Sequence, residues 1–118
     1  MTDSPIYRSW GDDPLPSRDE ALTSPLRAFR SWYLRMECIK CGRERWLAET
    51  HLTLRGKGDI LVRDIIARLR HGDRCGGEPQ LVELITGIPG IHPHIRRIVL
   101  VDVRPQPTSD PNLRRRTR

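Results

Sequence analysis

Hydrophobic and polar positions alternate between Phe29 and Cys38, which predicts a β-strand. One face would carry Phe29, Ser31, Tyr33, Arg35 and Glu37, and the other Arg30, Trp32, Leu34, Met36 and Cys38. The second face is more apolar, so we expect it to turn inward and to carry Cys38 into the interior. After the turn that ends at Gly42, the run RERWLAE predicts a returning strand, so the two segments form a β-hairpin.

A helical period follows the glycine-containing segment Gly56-Lys57-Gly58. Apolar side chains recur at every fourth position, at Leu61, Ile65 and Leu69, and the polar side chains among them are Arg63, Asp64, Arg68 and Arg70. This pattern predicts an amphipathic helix over residues 60–70, with Asp59 as its N-cap. A short helical turn is expected just before it, over His51 to Leu54.

Two later apolar runs, Gln80 to Ile85 and Ile95 to Val103, predict two more strands. The segment between them, GIPGIHPH, contains two prolines and two glycines and is therefore expected to be a loop. Together these elements predict a small α+β domain over residues 28–103, in which the order of the strands stays open.

The two ends of the chain lack such patterns. Residues 1–27 contain five Pro or Gly residues and show no period of 2 or 3.6, which predicts a flexible, extended or disordered arm. Tyr7 and Trp10 are candidates to pin this arm to its own domain or to a partner. Residues 104–118 contain three prolines and five arginines, and they are predicted to be a disordered basic tail.

Composition limits how the fold can be stabilised. The chain has 118 residues, of which 36% are hydrophobic and 31% are charged, so its core is small and a metal, disulfide or partner is expected to support it. No run approaches the roughly 18 apolar residues of a membrane span, and the first residues do not resemble a signal peptide. Three cysteines, an odd number, argue against a disulfide framework, and we expect a cytoplasmic protein without membrane contact.

The cysteines have the spacing of a metal site. Cys38-x2-Cys41-Gly42 has the form of one tight turn with two ligands, and Cys75-Gly76-Gly77 repeats its Cys-Gly ending. Structural zinc is held by four thiolate or imidazole ligands, so one ligand is missing, and His71 is favoured because it lies four residues before Cys75. The alternatives for this fourth ligand are His51, Asp73, His92 and His94.

Two other interpretations of the cysteines stay open. In the first interpretation, Cys38 and Cys41 are two small side chains buried in the apolar core. In the second, they form a reversible disulfide. The redox interpretation is the weaker one, because a redox pair of this spacing opens a helix, whereas Cys41 is followed by Gly42 and a run with strand character.

The string CIKCGRERWL…LTLRGKGDILVRDIIARLRHGDRCGGEP resembles a family of small bacterial and phage zinc-knuckle proteins, which are similar to zinc ribbons. That family has a Cys-x2-Cys-Gly-Arg start, a leucine-rich spacer with a glycine turn, a helix, and a second cysteine pair. The resemblance covers Cys38 to Pro79, and it departs at His71-x3-Cys75, where the family has Cys-x2-Cys. It implies a zinc-stapled domain and no established activity.

Charge points to a polyanionic partner. The net charge is +6, and residues 104–118 contribute +4 of it, whereas residues 1–27 carry −2. Such a footprint is typical of nucleic-acid-binding proteins, although arginine-rich surfaces also keep proteins soluble. The candidate phosphate contacts are Arg63, Arg68, Arg70, Arg74, Arg96, Arg97, Arg114, Arg115 and Arg116. Trp32 or Trp46, if exposed, would stack on bases, and core packing is the alternative for both.

These patterns predict a binding protein and not an enzyme. The chain has no phosphate-binding glycine loop, no nucleophile–base pair and no catalytic zinc motif such as His-Glu-x-x-His. We therefore expect a nucleic-acid-binding accessory or regulatory factor. The alternative is a protein-interaction module of the phage or plasmid type that uses the zinc core as a platform. Its candidate anchors are Tyr7, Trp10 and the loop Ile88-Pro89-Gly90-Ile91.

Overall fold

A computed structural model of the protein describes residues 6–70 and 75–104. At its centre is a four-stranded antiparallel sheet made of β1 (Tyr33–Cys38), β2 (Glu44–Ala48), β3 (Pro79–Ile85) and β4 (Arg97–Asp102). The strand order is β2-β1-β3-β4, so the first hairpin pairs through β1 with a strand more than forty residues later in the chain. The α+β class predicted from the sequence is confirmed, and each predicted strand segment overlaps one of these strands.

Short helices cover one face of the sheet. They are α1 (Arg18–Leu22), a 3₁₀ turn (Leu26–Phe29), α2 (Glu49–Leu54) and α3 (Val62–Arg68). Their apolar side chains join those of the covered sheet face in one buried cluster, which includes Ala21, Leu26, Phe29, Val62, Leu34, Met36, Val82, Leu84 and Leu100. Within residues 6–70 and 75–104, no helix has the length and apolar character needed to cross a membrane.

The predicted strand begins only at Tyr33. Phe29, which the alternation assigns to the more polar face, lies in the 3₁₀ turn and is fully buried. From Tyr33 onward, β1 follows the predicted alternation. Leu34, Met36 and Cys38 are buried against the helices, whereas Tyr33, Arg35 and Glu37 lie on the opposite face. Because successive side chains of a strand point to opposite faces, the sequence alone predicts which side chains of β1 are buried.

Trp32 belongs to the core. Its ring packs edge-on against Phe29 with 5.5 Å between centroids, its Nε1 donates to the Tyr7 carbonyl at 2.9 Å, and no part of it is exposed. Trp32 is therefore unable to stack on bases, and of the two alternatives for this residue core packing is the correct one.

Part of the predicted N-terminal arm is regular and packed. α1 begins after Ser17, whose Oγ accepts a hydrogen bond from the Glu20 amide at 3.2 Å, and Leu26 is fully buried. Tyr7 stacks on Phe29 at 5.0 Å between centroids. The expectation of an irregular chain thus does not hold for α1. A helix of five residues is too short to show a period, although the Ser-x-x-Glu capping box was present as a signal.

Helix α3 is shorter than its apolar period predicts. It begins at Val62, because Leu61 is extended and forms an antiparallel bridge with Pro25. Asp59 does not cap the helix, and that prediction is wrong. Its carboxylate forms a salt bridge with Arg27 instead, in the segment that leads from α1 to β1. Long-range pairing has here replaced a local cap.

Charged residues occupy the centre of the second sheet face. Glu83 is 4% exposed at its side chain and is paired with Arg35 at 3.1 Å and with Arg97 at 3.2 Å. Arg35 also binds Glu44, and a hydrogen bond from its guanidinium holds the pKa of that carboxyl below its usual value. Because each of these charges has an opposite partner, the face tolerates their burial.

We expect Leu26→Ala to reduce the free energy of unfolding by about 2–5 kcal/mol, because it removes a fully buried side chain from the cluster. Urea unfolding monitored by tryptophan fluorescence measures this loss. Leu54→Ala is the matched control, since Leu54 is 84% exposed and its replacement should change stability by less than about 0.5 kcal/mol. If the two variants unfolded at the same urea concentration, the N-terminal segment would not be packed in the core as described.

Candidate metal centre and basic cleft

Three cysteine sulfurs meet at one end of the sheet. Cys38 ends β1 and Cys75 precedes β3, and the antiparallel pairing of these strands sets Cys38 opposite Pro79. The Ile39 amide then donates to the Glu78 carbonyl at 2.9 Å and continues the pairing beyond the strands. As a result the sulfurs of all three cysteines lie within 4.8 Å of one another, and those of Cys38 and Cys75 are 3.5 Å apart.

The first turn presents its two cysteines through local backbone bonds. The Gly42 amide donates to the Cys38 carbonyl at 2.9 Å, and Gly42 has a φ of 72°, a conformation that glycine adopts without strain. The Lys40 amide points at the Cys38 sulfur at 3.4 Å. Burial alone would raise the pKa of the Cys38 thiol, but hydrogen bonds from the amides of Cys41 and Lys40, together with those from the Cys75 and Cys41 thiols, lower that pKa.

The second turn fits against the first because residue 77 has no side chain. An alanine Cβ at Gly77 would collide with the Cys38 sulfur, and it would lie 3.2 Å from the Lys40 Cβ and 3.3 Å from the Cys75 sulfur. The glycine at this position is therefore required by the close approach of the two turns.

The donor set fits a soft metal ion. In a tetrahedral zinc site with Zn–S bonds of about 2.3 Å, two sulfurs are about 3.8 Å apart, which is near the spacing observed here. Cys38 is buried, Cys75 is half-buried and Cys41 is exposed. The interpretation of Cys38 and Cys41 as a pair of buried apolar side chains thus fails for Cys41. The three cysteines are compatible with a metal site.

No fourth ligand joins the cysteines among the residues that the structure describes. His51, His92 and His94 are described and lie apart from the cluster. The Nδ1 of His92 instead accepts a hydrogen bond from the Ile88 amide at 2.8 Å. His71 and Asp73 fall outside the described residues, so these two remain as predicted candidates.

A cleft of about 790 Å³ lies beside β2, between this strand and helices α2 and α3. Its apolar floor consists of Leu47, Leu52, Ile60, Ile65 and Leu69, and its cationic side chains are Arg45, Arg55, Lys57, Arg68 and Arg70. Among the described residues that line it, only Asp64 carries a carboxylate. We call this site the basic cleft.

Most of these cations are not neutralised. In residues 6–70 and 75–104, Arg55, Lys57 and Arg68 form no salt bridge. Arg70 lies 3.7 Å from Glu78, which belongs to the second cysteine turn, and Arg45 donates to the Arg70 carbonyl at 2.8 Å. Arg45 and Arg70 therefore connect the basic cleft to the cysteine cluster.

The arginines predicted to bind phosphate are divided between several places. Arg68 and Arg70 line the basic cleft, and Arg63 is exposed on α3 with its Nε 3.9 Å from Asp64. Arg96 donates to the Arg8 carbonyl at 2.9 Å and to the Asp13 carbonyl, and Arg97 pairs with Glu83. Arg96 and Arg97 thus have structural contacts within the domain. The remaining four, Arg74, Arg114, Arg115 and Arg116, lie outside the described residues.

Sequence reasoning missed Arg45, Arg55 and Lys57. They stand singly in the hairpin and in the segment after α2, where no charge run marks them. The signal that was available is the predicted hairpin itself, since a strand next to the amphipathic helix would bring its cations toward Arg68 and Arg70.

The anchors proposed for a protein partner also separate. Tyr7 is held by stacking on Phe29 and by a hydrogen bond from its amide to the Ala28 carbonyl at 2.7 Å, whereas Trp10 is 67% exposed and Ile91 is 71% exposed. Trp46 packs edge-on against Tyr33 with 5.8 Å between ring centroids, and the Arg35 guanidinium lies 5.9 Å from its ring centroid. Trp46 is therefore engaged mainly with the second face of the sheet.

We expect Gly77→Ala to destabilise the protein by about 1–3 kcal/mol, because the added methyl group forces the two cysteine turns apart. Urea unfolding in reducing buffer measures the effect. Gly76→Asn is the neighbouring control: residue 76 has a φ of 60° and open space around it, and asparagine tolerates that conformation. If the two variants unfolded at the same urea concentration, the close approach at Gly77 would not be a constraint.

Comparison with protein-family models, with curated proteins and with solved structures finds no match to this chain. The resemblance to zinc-knuckle proteins therefore stays a prediction from the sequence.

Proposed function

We propose that Cys38, Cys41 and Cys75 hold a structural zinc ion, with His71 as the fourth ligand. Three converging sulfurs, amide donors aimed at one of them and a glycine contact between the turns support the site. His71 directly follows Arg70, which lies beside the second cysteine turn, and an imidazole suits zinc in a thiolate-rich set better than the Asp73 carboxylate. Bound zinc supplies a crosslink between distant parts of the chain and performs no reaction.

We expect about one zinc ion per chain in protein purified under reducing conditions, measured by elemental mass spectrometry. Cys75→Ser should lose the metal and unfold the domain, because binding to a structural site contributes directly to folding free energy. His71→Ala should retain the fold and bind zinc more weakly, whereas His94→Ala, which lies apart from the sulfurs, should match the unmodified protein. Absence of metal from fresh, reduced protein would remove the proposed site.

We propose further that the protein is a nucleic-acid-binding accessory factor and that the basic cleft is its binding surface. The observation that carries this proposal is the concentration of five cationic side chains and a single carboxylate around one cleft. Like charges repel, and three of the five, Arg55, Lys57 and Arg68, form no salt bridge among the described residues, so a polyanion that binds here relieves their repulsion. The proposed role is binding, and no catalytic residue is assigned.

The two parts of this proposal are connected. Cys41 precedes β2, which carries Arg45, and Cys75 follows α3, which carries Arg68 at its end. A metal that joins these cysteines would hold both walls of the basic cleft at fixed separation. Chelation of the metal should therefore weaken nucleic-acid binding, because it releases the walls of the cleft and destabilises the domain.

We expect the triple variant Arg55→Ala, Lys57→Ala, Arg68→Ala to lose most of its nucleic-acid affinity. Its logarithmic salt dependence should also become shallower, by about two for a single strand, because three phosphate contacts are gone. Fluorescence anisotropy of a labelled oligonucleotide, titrated between low and physiological salt, measures both effects.

The control for this experiment is Arg30→Ala, which removes one exposed arginine outside the cleft and is compared with the single variants Arg55→Ala, Lys57→Ala and Arg68→Ala. That variant should bind almost as well as the unmodified protein. If Arg30→Ala and each single cleft variant weakened binding equally, the affinity would come from overall charge and the cleft would have no special part. If the unmodified protein bound no nucleic acid at low salt, the proposed function would be wrong.

A further inference from the structure

The rim and the floor of the basic cleft differ in chemistry. The cationic side chains, from β2, from the segment after α2 and from the end of α3, are exposed, and we call them the rim. The aliphatic side chains are half-buried or buried, and we call them the floor. Four of these aliphatic residues, Leu47, Leu52, Ile60 and Ile65, are neither buried nor fully exposed. They therefore keep apolar surface that a ligand can cover.

We propose that the ligand of the basic cleft is single-stranded nucleic acid, with phosphates on the cationic rim and at least one unstacked base against the aliphatic floor. This inference rests on the proposed function and specifies its ligand. An oligonucleotide strand fits both zones, because each of its units carries one negative charge and one flat apolar group. Contact between the base and the floor removes apolar surface of both from water.

A duplex can contact the cationic rim with its phosphates but has no exposed base for the aliphatic floor. Its bases are stacked and paired inside the helix, and the surface that it presents to a cleft with a cationic rim is its phosphate backbone. The phosphates would then lie over the aliphatic floor, and burying a charge against apolar side chains costs free energy. The recessed floor of Leu52, Ile60 and Ile65 would gain nothing from duplex binding.

An acidic polypeptide is the competing ligand. β2 is an edge strand, and its residues Arg45 to Leu47 line the cleft, so an extended peptide has an edge on which to pair. The cations, however, surround the cleft on three elements and do not follow the strand edge. A nucleic-acid strand carries both a negative charge and a base on every nucleotide, which matches cations that lie on three elements around the cleft. A peptide residue carries either an acidic or an apolar side chain, so a peptide matches this arrangement less well.

The test uses the full chain, loaded with zinc, and four fluorescein-labelled probes. They are a single strand of about ten nucleotides, the same strand annealed to its complement, an abasic strand with an equal number of phosphates, and an oligoglutamate peptide of equal charge. Anisotropy titrations at one fixed salt concentration give the dissociation constants. The single strand should bind about ten-fold more tightly than the duplex and the abasic strand.

Two variants separate the floor from the rim. Ile60→Ser shortens a floor side chain that is not packed in the buried cluster, and it should weaken binding of the single strand about five-fold without changing binding of the abasic strand. Leu54→Ser is the matched control, because Leu54 is 84% exposed and outside the cleft, and it should change neither.

Each outcome is decisive. Equal affinity for the single strand and for the duplex or the abasic strand would overturn the inference and leave the proposed nucleic-acid binding intact. Tighter binding of oligoglutamate than of any oligonucleotide would overturn both and assign the cleft to an acidic polypeptide. Absence of binding to every oligonucleotide would also overturn both. Weaker single-strand binding in Ile60→Ser alone would support the base-on-floor contact.

Discussion

The antiparallel pairing of β1 with β3 is the constraint on which the rest of this structure depends. The two strands are far apart in sequence, and their pairing sets the end of one beside the start of the other. Cys38 and Cys75 are consequently neighbours, with 3.5 Å between their sulfurs. The same pairing places β1 inside the sheet, where its inward face can carry the helices, and leaves β2 at an edge next to α2 and α3. The cysteine cluster and the basic cleft are both consequences of this one long-range contact.

Much of the local structure could be predicted from the sequence, because it follows from short-range rules. Period-2 alternation in β1 gave the buried side and the position of Cys38, and the run of Leu61, Ile65 and Leu69 indicated a helix. The grouping of Cys38 and Cys41 with Cys75 followed from the spacing of ligands in two tight turns. In each case the residues that matter are close in the chain, or the chemistry of zinc relates them.

Contacts between residues that are far apart in the sequence could not be predicted from it. Asp59 has the side chain of a good N-cap, but the bridge between Leu61 and Pro25 keeps Leu61 extended, so the helix begins after it. The Asp59 carboxylate therefore pairs with Arg27. Arg96 and Arg97 resemble a basic patch in the sequence. In the fold, however, Arg96 donates to the Arg8 carbonyl and Arg97 pairs with Glu83, and no local pattern reveals these contacts. Arg45, Arg55 and Lys57 stand apart in sequence and meet Arg68 only because β2 lies beside α3.

The excursion between Cys41 and Cys75 contains β2, α2 and α3, and therefore the whole basic cleft. The chain leaves the sheet centre after one cysteine turn and returns to it at the other, so the base of the excursion is narrow. The sheet and its core nevertheless depend on this excursion, because it supplies β2 and because Val62 and Leu69 belong to the buried cluster. Variation within it is therefore confined to its exposed side chains, such as Arg55 and Lys57. In evolutionary terms, the exposed side chains that line the cleft can change while the side chains of the same segment that pack in the core are retained.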